Sequence, residues 1–286
     1  MAQKDQLAKA QDLTFTINDR MEQLHNAVSQ TYIAVEPDGP GNCGKQERGR
    51  SREIVCEHFL DVYVDEQLTF RLTCTATHLP ELILGRLFTE GWIESVRDVE
   101  SITICESGRS ARVFLQENLR GSDRQIATDR EASCCIGNLT FLEKNGKRQL
   151  RELPGTEWQN AWIFALAEEF AGDCELHRQT GGTHSCYLGV RDKCVCRMED
   201  IGRHNALDKC IGYALLKQLE LSECILFTTG RVPTDMVQKV IAAGIPVLAS
   251  KAVPTDQAIE LAKKYRLNLI CRAWPDRIEI YHDARK

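Results

Sequence analysis

Two adjacent cysteines, Cys134 and Cys135, stand in a polar, glycine-containing stretch, NLRGSDRQIATDREASCCIGN (118–138), with little periodicity. A thiol in such a loop can meet two partners in turn, which thiol exchange between molecules requires, whereas a thiol buried in a strand cannot. Arg124 and Arg130 lie in the same stretch, and a nearby guanidinium lowers a thiol pKa. The pair is poorly suited to closing on itself. A trans peptide holds adjacent Cα atoms ~3.8 Å apart, below the usual disulfide range. One cysteine can therefore act without a resolving partner, or both are incidental loop thiols. A second group of residues suits an anionic ligand. TGGTHS (180–185) places Gly181 and Gly182, which let backbone N–H groups approach a phosphate, before His184. Asp200-Ile-Gly-Arg203-His204-Asn205 opens a helix, so Arg203 and His204 sit at its positive end. Capping by Asp200 or Asn205 and a salt bridge from Arg203 would explain the same residues. Arg231, in TGR (229–231), follows a strand and precedes a helix, where α/β sheets bind phosphates. Lys251 has a similar place and reads first as a solvated lysine.

These residues need elements to position them. Residues 1–50 are polar, end in a Gly/Pro-rich run, and read as a tail or linker; the weak alternation of 30–36 also allows a pairing arm. Residues 51–116 read as a small α+β domain. Its strands fill 52–75 with a turn at Asp65–Gln67, a helix covers Leu79–Trp92, and a strand pair covers 99–105 and 111–115. Residues 117–157 read as a mobile loop with the cysteine pair, plus a connector. From Trp158 to Lys286, helices at 158–172, 203–219, 234–244 and 255–265 alternate with strands at 185–190, 194–198, 224–230, 246–250, 267–273 and 277–282. That rhythm predicts a three-layer α/β domain, whose ligands bind at strand C-terminal ends.

Composition removes several classes. At 286 residues, 43% apolar and 27% charged, the chain is an ordinary globular protein. A formal charge of -5 argues against nucleic acid or an anionic membrane as partner. No apolar run approaches the ~20 residues of a membrane span, and MAQKDQLAKAQDLTF has no secretory apolar core. The 13 cysteines are odd in number, and several, such as Cys210 and Cys224, lie inside apolar runs, which fits a reducing cytoplasm. Cys194-x-Cys196 lies in an alternating strand and reads as sheet packing, so no metal is assigned. There is no GxxxxGK[ST] sequence, which disfavours an NTPase.

TGGTHSCYL (180–188), EDIGRHNALDKCIGYAL (199–215), TGRVPTDMVQKVIAAGIPVLASKAVPT (229–255), RIEIY (277–281) and, more weakly, LPELILGRLFTEGWI (79–93) resemble the formate dehydrogenase accessory sulfurtransferase family. The resemblance implies a cytidine-deaminase-like C-terminal domain, although the deaminase zinc signature is absent here. It implies a homodimer that takes sulfur from a cysteine desulfurase as a cysteine persulfide. The sulfur then passes to the bis-molybdopterin guanine dinucleotide of molybdenum, bound as substrate, before the formate dehydrogenase catalytic subunit receives it. GDP or GMP would be surrogate ligands. Family members carry Cys-x-x-Cys in the long loop; here Cys134 matches the first cysteine and Cys135 is the nearest substitute for the second. The segment Arg272-Ala273-Trp274-Pro275-Asp276-Arg277 corresponds to the family's cofactor-contacting stretch, with Trp274 free to stack on a guanine or pterin or to pack the core. The competing function is a non-catalytic cofactor chaperone, with sulfur supplied by another protein.

Overall fold

The computed structural model describes residues 14–16, 24–37, 45–120, 124–126, 138–144, 149–172 and 174–285. It opens with β1 (Thr14–Thr16) and an antiparallel ribbon, β2 (Ala27–Pro37) with β3 (Lys45–Val55). Of the two readings of residues 1–50, the ribbon bears out the pairing arm at 30–36 and corrects the tail or linker over 27–37 and 45–50. The two ribbon strands flank the Gly/Pro-rich run, and they bury too little to show a strand's usual apolar alternation. β4 (His58–Val64) and β5 (Gln67–Cys74) form the expected hairpin. Its turn residues Asp65 and Glu66 have φ of 44° and 66°, the left-handed pair that a two-residue hairpin turn demands. α1 (Leu79–Thr89) follows, starting at Pro80 in its first turn, then β6 (Val99–Ile104) and β7 (Ser110–Leu115). A short ribbon pairs β8 (Arg124–Ile126) with β10 (Leu142–Lys144), and β9 (Leu139–Thr140) joins the first sheet, whose order is β1-β6-β7-β4-β5-β9.

The C-terminal half runs α2 (Asn160–Ala171), α3 (Glu175–Thr180), β11 (His184–Val190), β12 (Lys193–Asp200), α4 (Arg203–Leu216), β13 (Cys224–Thr228), α5 (Thr234–Ala243), β14 (Val247–Ser250), α6 (Asp256–Lys264), β15 (Asn268–Trp274) and β16 (Arg277–His282). The sheet order is β12-β11-β13-β14-β15-β16, with β13, β14 and β15 parallel. Every residue of β13 is buried, as expected of a central strand covered on both faces. Tyr187, Phe227, Ala249 and Ile270 pack with Ile163, Leu166 and Phe170 of α2. Their neighbours Cys186, Leu226, Leu248 and Leu269 pack instead with α4 and α5. Helices thus cover both faces, giving the three layers the rhythm predicts. Short α3 was not anticipated, because ELHRQT has no apolar period.

The core behind α4 and α5 continues without a break into the first sheet, through Leu60, Val62 and Leu72. The joint is the crossing of α1 and α4. A Cβ placed on Gly85 would lie 1.8 Å from the Asp208 carbonyl oxygen, and one on Gly212 would lie 1.9 Å from that of Glu81. The two backbones touch directly, so both positions require glycine. Beside them the fully buried Asp208 carboxylate receives Lys239 Nζ at 2.9 Å and Thr89 Oγ1 at 3.1 Å.

Gly212→Ala should therefore lower the unfolding free energy by about 3 kcal/mol, the upper end for overpacking, because backbone rather than a side chain would have to yield. Gly49→Ala, with nothing within 4 Å of its Cβ, is the matched control and should change it by less than ~0.5 kcal/mol. Urea denaturation of both variants reads the difference.

Candidate functional site at the strand ends and the start of α4

The loops that leave β13 and β14 are tied together. Ser250 Oγ donates to the Gly230 carbonyl at 2.7 Å and accepts from Ala252 N at 3.0 Å, while Lys251 N donates to the Thr228 carbonyl at 3.0 Å. Against them stands the first residue of β11. His184 Nδ1 is 3.4 Å from Thr229 Oγ1, which accepts from Ser185 N at 3.1 Å. The start of α4 closes the group. A Cβ on Gly230 would lie 3.0 Å from both Cβ and Cδ of Arg203, so glycine there lets the arginine stem lie along the loop. His204 Nε2 sits 2.9 Å from Asp235 Oδ2, in the first turn of α5. Burial pushes the Asp235 carboxyl up, but the hydrogen bond and charge of His204 outweigh it and bring the value down to about 2. Burial, then Arg203, His177 and His204, push the His184 imidazole down, so it is neutral near pH 7. Arg231 is exposed at the rim. The group can present a cation, a neutral imidazole and a helix N-terminus to one anion.

The other sequence candidates divide. Gly181 ends α3 with φ 66°, and Gly182 packs so that a Cβ would lie 2.6 Å from Val55 Cγ1. The hydroxyls beside them are committed, Thr180 Oγ1 to the Leu176 carbonyl at 2.7 Å and Thr183 Oγ1 to Glu199 Oε1 at 3.1 Å. Helix capping and ribbon packing thus account for both glycines. Arg272, Ala273, Trp274, Pro275, Asp276 and Arg277 form the end of β15, the turn and the start of β16. Ala273 is buried, and Arg272, at φ 45°, pairs with Glu279 at 3.3 Å. Trp274 is 39% exposed rather than a core residue. Lys251 corrects the expectation of a solvated lysine. Its Nζ donates to the Phe170 carbonyl at 3.1 Å and stands 4.7 Å from the Phe170 ring centre and 5.4 Å from that of Trp274. Through Lys251 the Trp274 turn is joined to the loop that Ser250 ties to Gly230.

Cys134, Cys135 and Arg130 lie outside the described residues. Arg124 is described, and its charge is spent elsewhere. It pairs with Asp65, donates to Gln67 Oε1 at 3.1 Å and lies over the Trp92 ring at 5.8 Å. The chain is described again from Asn138, three residues after Cys135, and that residue is buried. Asn138 Oδ1 accepts from Thr73 N at 2.8 Å, and its Nδ2 donates to Asn205 Oδ1 at 2.8 Å. Asn205 Nδ2 donates in turn to the Thr73 carbonyl and to Asp200 Oδ1, each at 2.8 Å. Asp200 Oδ1 also accepts from Gly202 N at 3.0 Å, but Gly202 is itself the N-cap of α4 and no side chain caps the helix, so the capping expected of Asp200 or Asn205 is corrected to a contact just ahead of it. Its Oδ2 meets Lys209 Nζ at 2.7 Å, both residues being fully buried. The first turn of α4 therefore carries Arg203 and His204 and also holds, through Asn205, the chain that leaves the cysteine segment. Nothing in the sequence marks Asn138 for this.

Most described thiols are unsuited to exchange. Burial pushes Cys74 and Cys210 well up, and Cys224 and Cys271 up to about 12. Cys194 and Cys196 pack into different clusters, although alternate residues of a regular strand share a face, because the β11–β12 register slips between Leu188 and Gly189. Cys105, in the β6–β7 turn, differs. Burial pushes it up, but the Ser107 hydroxyl and the backbone N–H groups of Ser110, Arg109 and Ser107 outweigh this, so the net direction is down. Its Sγ accepts from Ser110 N at 3.2 Å.

Comparison with known proteins places the molecule. The sequence profile of the FdhD/NarQ family matches residues 55–286. The chain belongs to the FdhD/NarQ family. Relatives named sulfur carrier protein FdhD include one from Halalkalibacterium halodurans, 28% identical over 81% of this chain and 87% of its own length. Another, from Geobacillus kaustophilus, is 30% identical over 82% of this chain and 89% of its own. The crystal structure of a formate dehydrogenase accessory protein from Desulfotalea psychrophila shares the fold, with a TM-score of 0.71 at 22% identity, covering 90% of this chain and 97% of that one. Among the described residues of this FdhD/NarQ member, no helix is long and apolar enough to cross a membrane.

Two outcomes test the site's electrostatics. Lys209→Met leaves Asp200 buried without its cation and should cost about 3–5 kcal/mol in urea denaturation. Asp235 has a folded pKa below its ordinary 3.8, so its contribution is complete above that value and is lost as pH falls through about 2. Asp235→Asn should therefore flatten the loss of stability between about pH 4 and pH 2, read by denaturation at each pH.

Proposed function

We propose that this chain is a cytoplasmic sulfur carrier for formate dehydrogenase, with Cys134 as the thiol that holds the sulfur and Cys135 as its neighbour. The donor is a cysteine desulfurase. The Cys134 thiolate attacks the outer sulfur of the donor persulfide, a new S–S bond forms on Cys134, and the donor leaves as a thiolate. Releasing that sulfur as sulfide takes two electrons. A thiol attacking the inner sulfur supplies them and ends in a disulfide with Cys134. Cys135 could do so only through a strained vicinal bridge, so an external thiol is the reductant. The acceptor is the bis-molybdopterin guanine dinucleotide of molybdenum, bound as substrate and passed to the dehydrogenase catalytic subunit, and the working unit is a homodimer.

The observation that carries this reading is the shared first turn of α4. Asn205 grips Asn138, just after the cysteine segment, while Arg203 and His204 of the same turn border the strand ends. A guanine dinucleotide there would meet Arg231 at a phosphate, with His184 as a neutral hydrogen-bonding partner and the exposed ring of Trp274 for stacking. Gly181 and Gly182 would shape the turn that leads into His184. The order β12-β11-β13-β14-β15, a hairpin followed by three parallel strands, supports a cytidine-deaminase-like description of residues 158–286. In that division, 117–157 is the thiol-bearing connector from the 51–116 layer. Family membership and the names of the relatives support the sulfur-carrying role itself.

Cys105 supports a second reading, in which its hydrogen-bonded thiol holds the sulfur instead. Intact-protein mass spectrometry after incubation with a cysteine desulfurase and cysteine separates the two. A reductant-sensitive gain of one sulfur atom, absent in Cys134→Ala and kept in Cys105→Ala, is the expected result. The reverse pattern would move the role to Cys105. No gain in any form would leave a cofactor chaperone that handles no sulfur. On the ligand side, Arg231→Ala should weaken GDP binding in calorimetry by roughly 10-fold or more, the worth of one charge-assisted hydrogen bond. Unchanged affinity would remove Arg231 from the site.

A further inference from the structure

The β2–β3 ribbon precedes almost all of the family-matched segment. Each strand is 11 residues long, paired from Ala27 with Val55 to Pro37 with Lys45. Neither six-stranded sheet pairs with it. A lone two-stranded ribbon is marginally stable in water, and here the base is braced where Gly182 packs on Val55. Directly opposed residues share a face, so the register sorts the side chains. One face carries Arg48 beside Ala34, Arg50 beside Tyr32 and Arg52 beside Gln30, and ends in Ile54 beside Val28. Arg48, Arg50 and Arg52 are exposed, as are Val28, Tyr32 and Ile54 at 45%, 42% and 42%. Guanidinium groups on every second residue are rooted roughly 7 Å apart. In a chain of net charge -5, this is a basic stripe interleaved with an aromatic ring and ending in aliphatic residues. Arg and Tyr beside apolar area are the residues that dominate protein–protein contacts.

The opposite charge lies on the same molecule. A groove of about 1240 Å³ at the ribbon's base is lined by Glu53, Glu168, Glu175 and Asp192, besides Arg178 and the Glu169–Arg197 pair. Ala27 and Glu53, which line it, belong to the ribbon's other face, with Ser29 and Ser51. A ribbon therefore turns its arginines away from its own groove, and only another molecule can bring the two together. We propose that the Arg48–Arg50–Arg52 face docks on the acidic groove of a second copy of this chain, each ribbon reaching across the two-fold axis to the other copy's groove. The inference deepens the homodimer reading above and is independent of the sulfur chemistry.

Sedimentation velocity on the full chain tests it, with circular dichroism to confirm folding. The wild type should sediment as a dimer whose dissociation constant rises at least tenfold from low to high salt. The triple variant Arg48→Glu, Arg50→Glu, Arg52→Glu should be monomeric, and adding Glu168→Lys and Glu175→Lys to it should restore the dimer. A triple variant that stays dimeric overturns the ribbon surface while the homodimer reading survives. A monomeric triple variant that the groove changes do not rescue overturns the groove as its partner. A monomeric wild type overturns both, and if it also retains a labelled single-stranded oligonucleotide in an anisotropy titration, the stripe serves nucleic acid instead.

Discussion

Where α1 and α4 cross, there is no side chain between them. Gly85 and Gly212 let each helix rest against a carbonyl of the other, and the rest of the molecule is arranged around that contact. It brings the first sheet and the C-terminal sheet close enough to share one core. It also sets the distances of the polar groups at the joint. On one side Asp208 meets Lys239 and Thr89, and on the other Asp200, Asn205 and Lys209 meet the end of β5. A shift of either helix by one side chain's width would leave several of these groups unpaired in the interior.

Such buried charges are a poor way to gain stability, because removing two ions from water costs about as much as their attraction returns. What they give is a penalty for every other arrangement. Asp200 is met from several directions. Thr75 N donates to it at 3.0 Å, Lys209 pairs with it at 2.7 Å, and Gly202 and Asn205 donate to its other oxygen. A carboxylate so surrounded fixes the N-terminal turn of α4 against the other layer. Arg203 and His204, the next residues along that turn, inherit a fixed position toward the strand ends. The rigidity of the candidate ligand site thus comes from groups that would not touch the ligand.

Much of this was readable from residue order. The strand–helix alternation after Trp158 gave the elements of the C-terminal half nearly to their ends, because buried strands such as CILFT and amphipathic helices such as TDMVQKVIAA leave strong patterns. The placement of Arg203, His204 and Arg231 beside strand ends followed from the same rhythm. What stayed hidden depends on contacts distant in sequence. The ribbon buries little, so only the weak alternation of 30–36 pointed to a pairing arm, and its partner strand 45–55 was not marked. At Gly181 and Gly182 a helix cap and a close approach to Val55 call for the same residue type as a phosphate-binding turn, so the sequence did not show the structural roles. Asn138 is a single polar residue whose partners are 65 and 67 positions away. Lys251 lies between two rings, one of them from a helix 81 residues earlier, and local sequence cannot show that.

Asn138 and Asn205 do one thing more. β9 covers β5 only at Phe70 and Arg71, so Thr73 lies beyond the reach of that short strand. Its N–H goes to one side-chain amide and its carbonyl to the other. Two asparagines thus imitate the peptide groups of a neighbouring strand at the sheet's margin. An open margin recruits foreign strands, which is how sheet proteins come to aggregate. Here the two side-chain amides occupy the Thr73 peptide groups, so that this point of the margin offers no template on which another molecule could add itself.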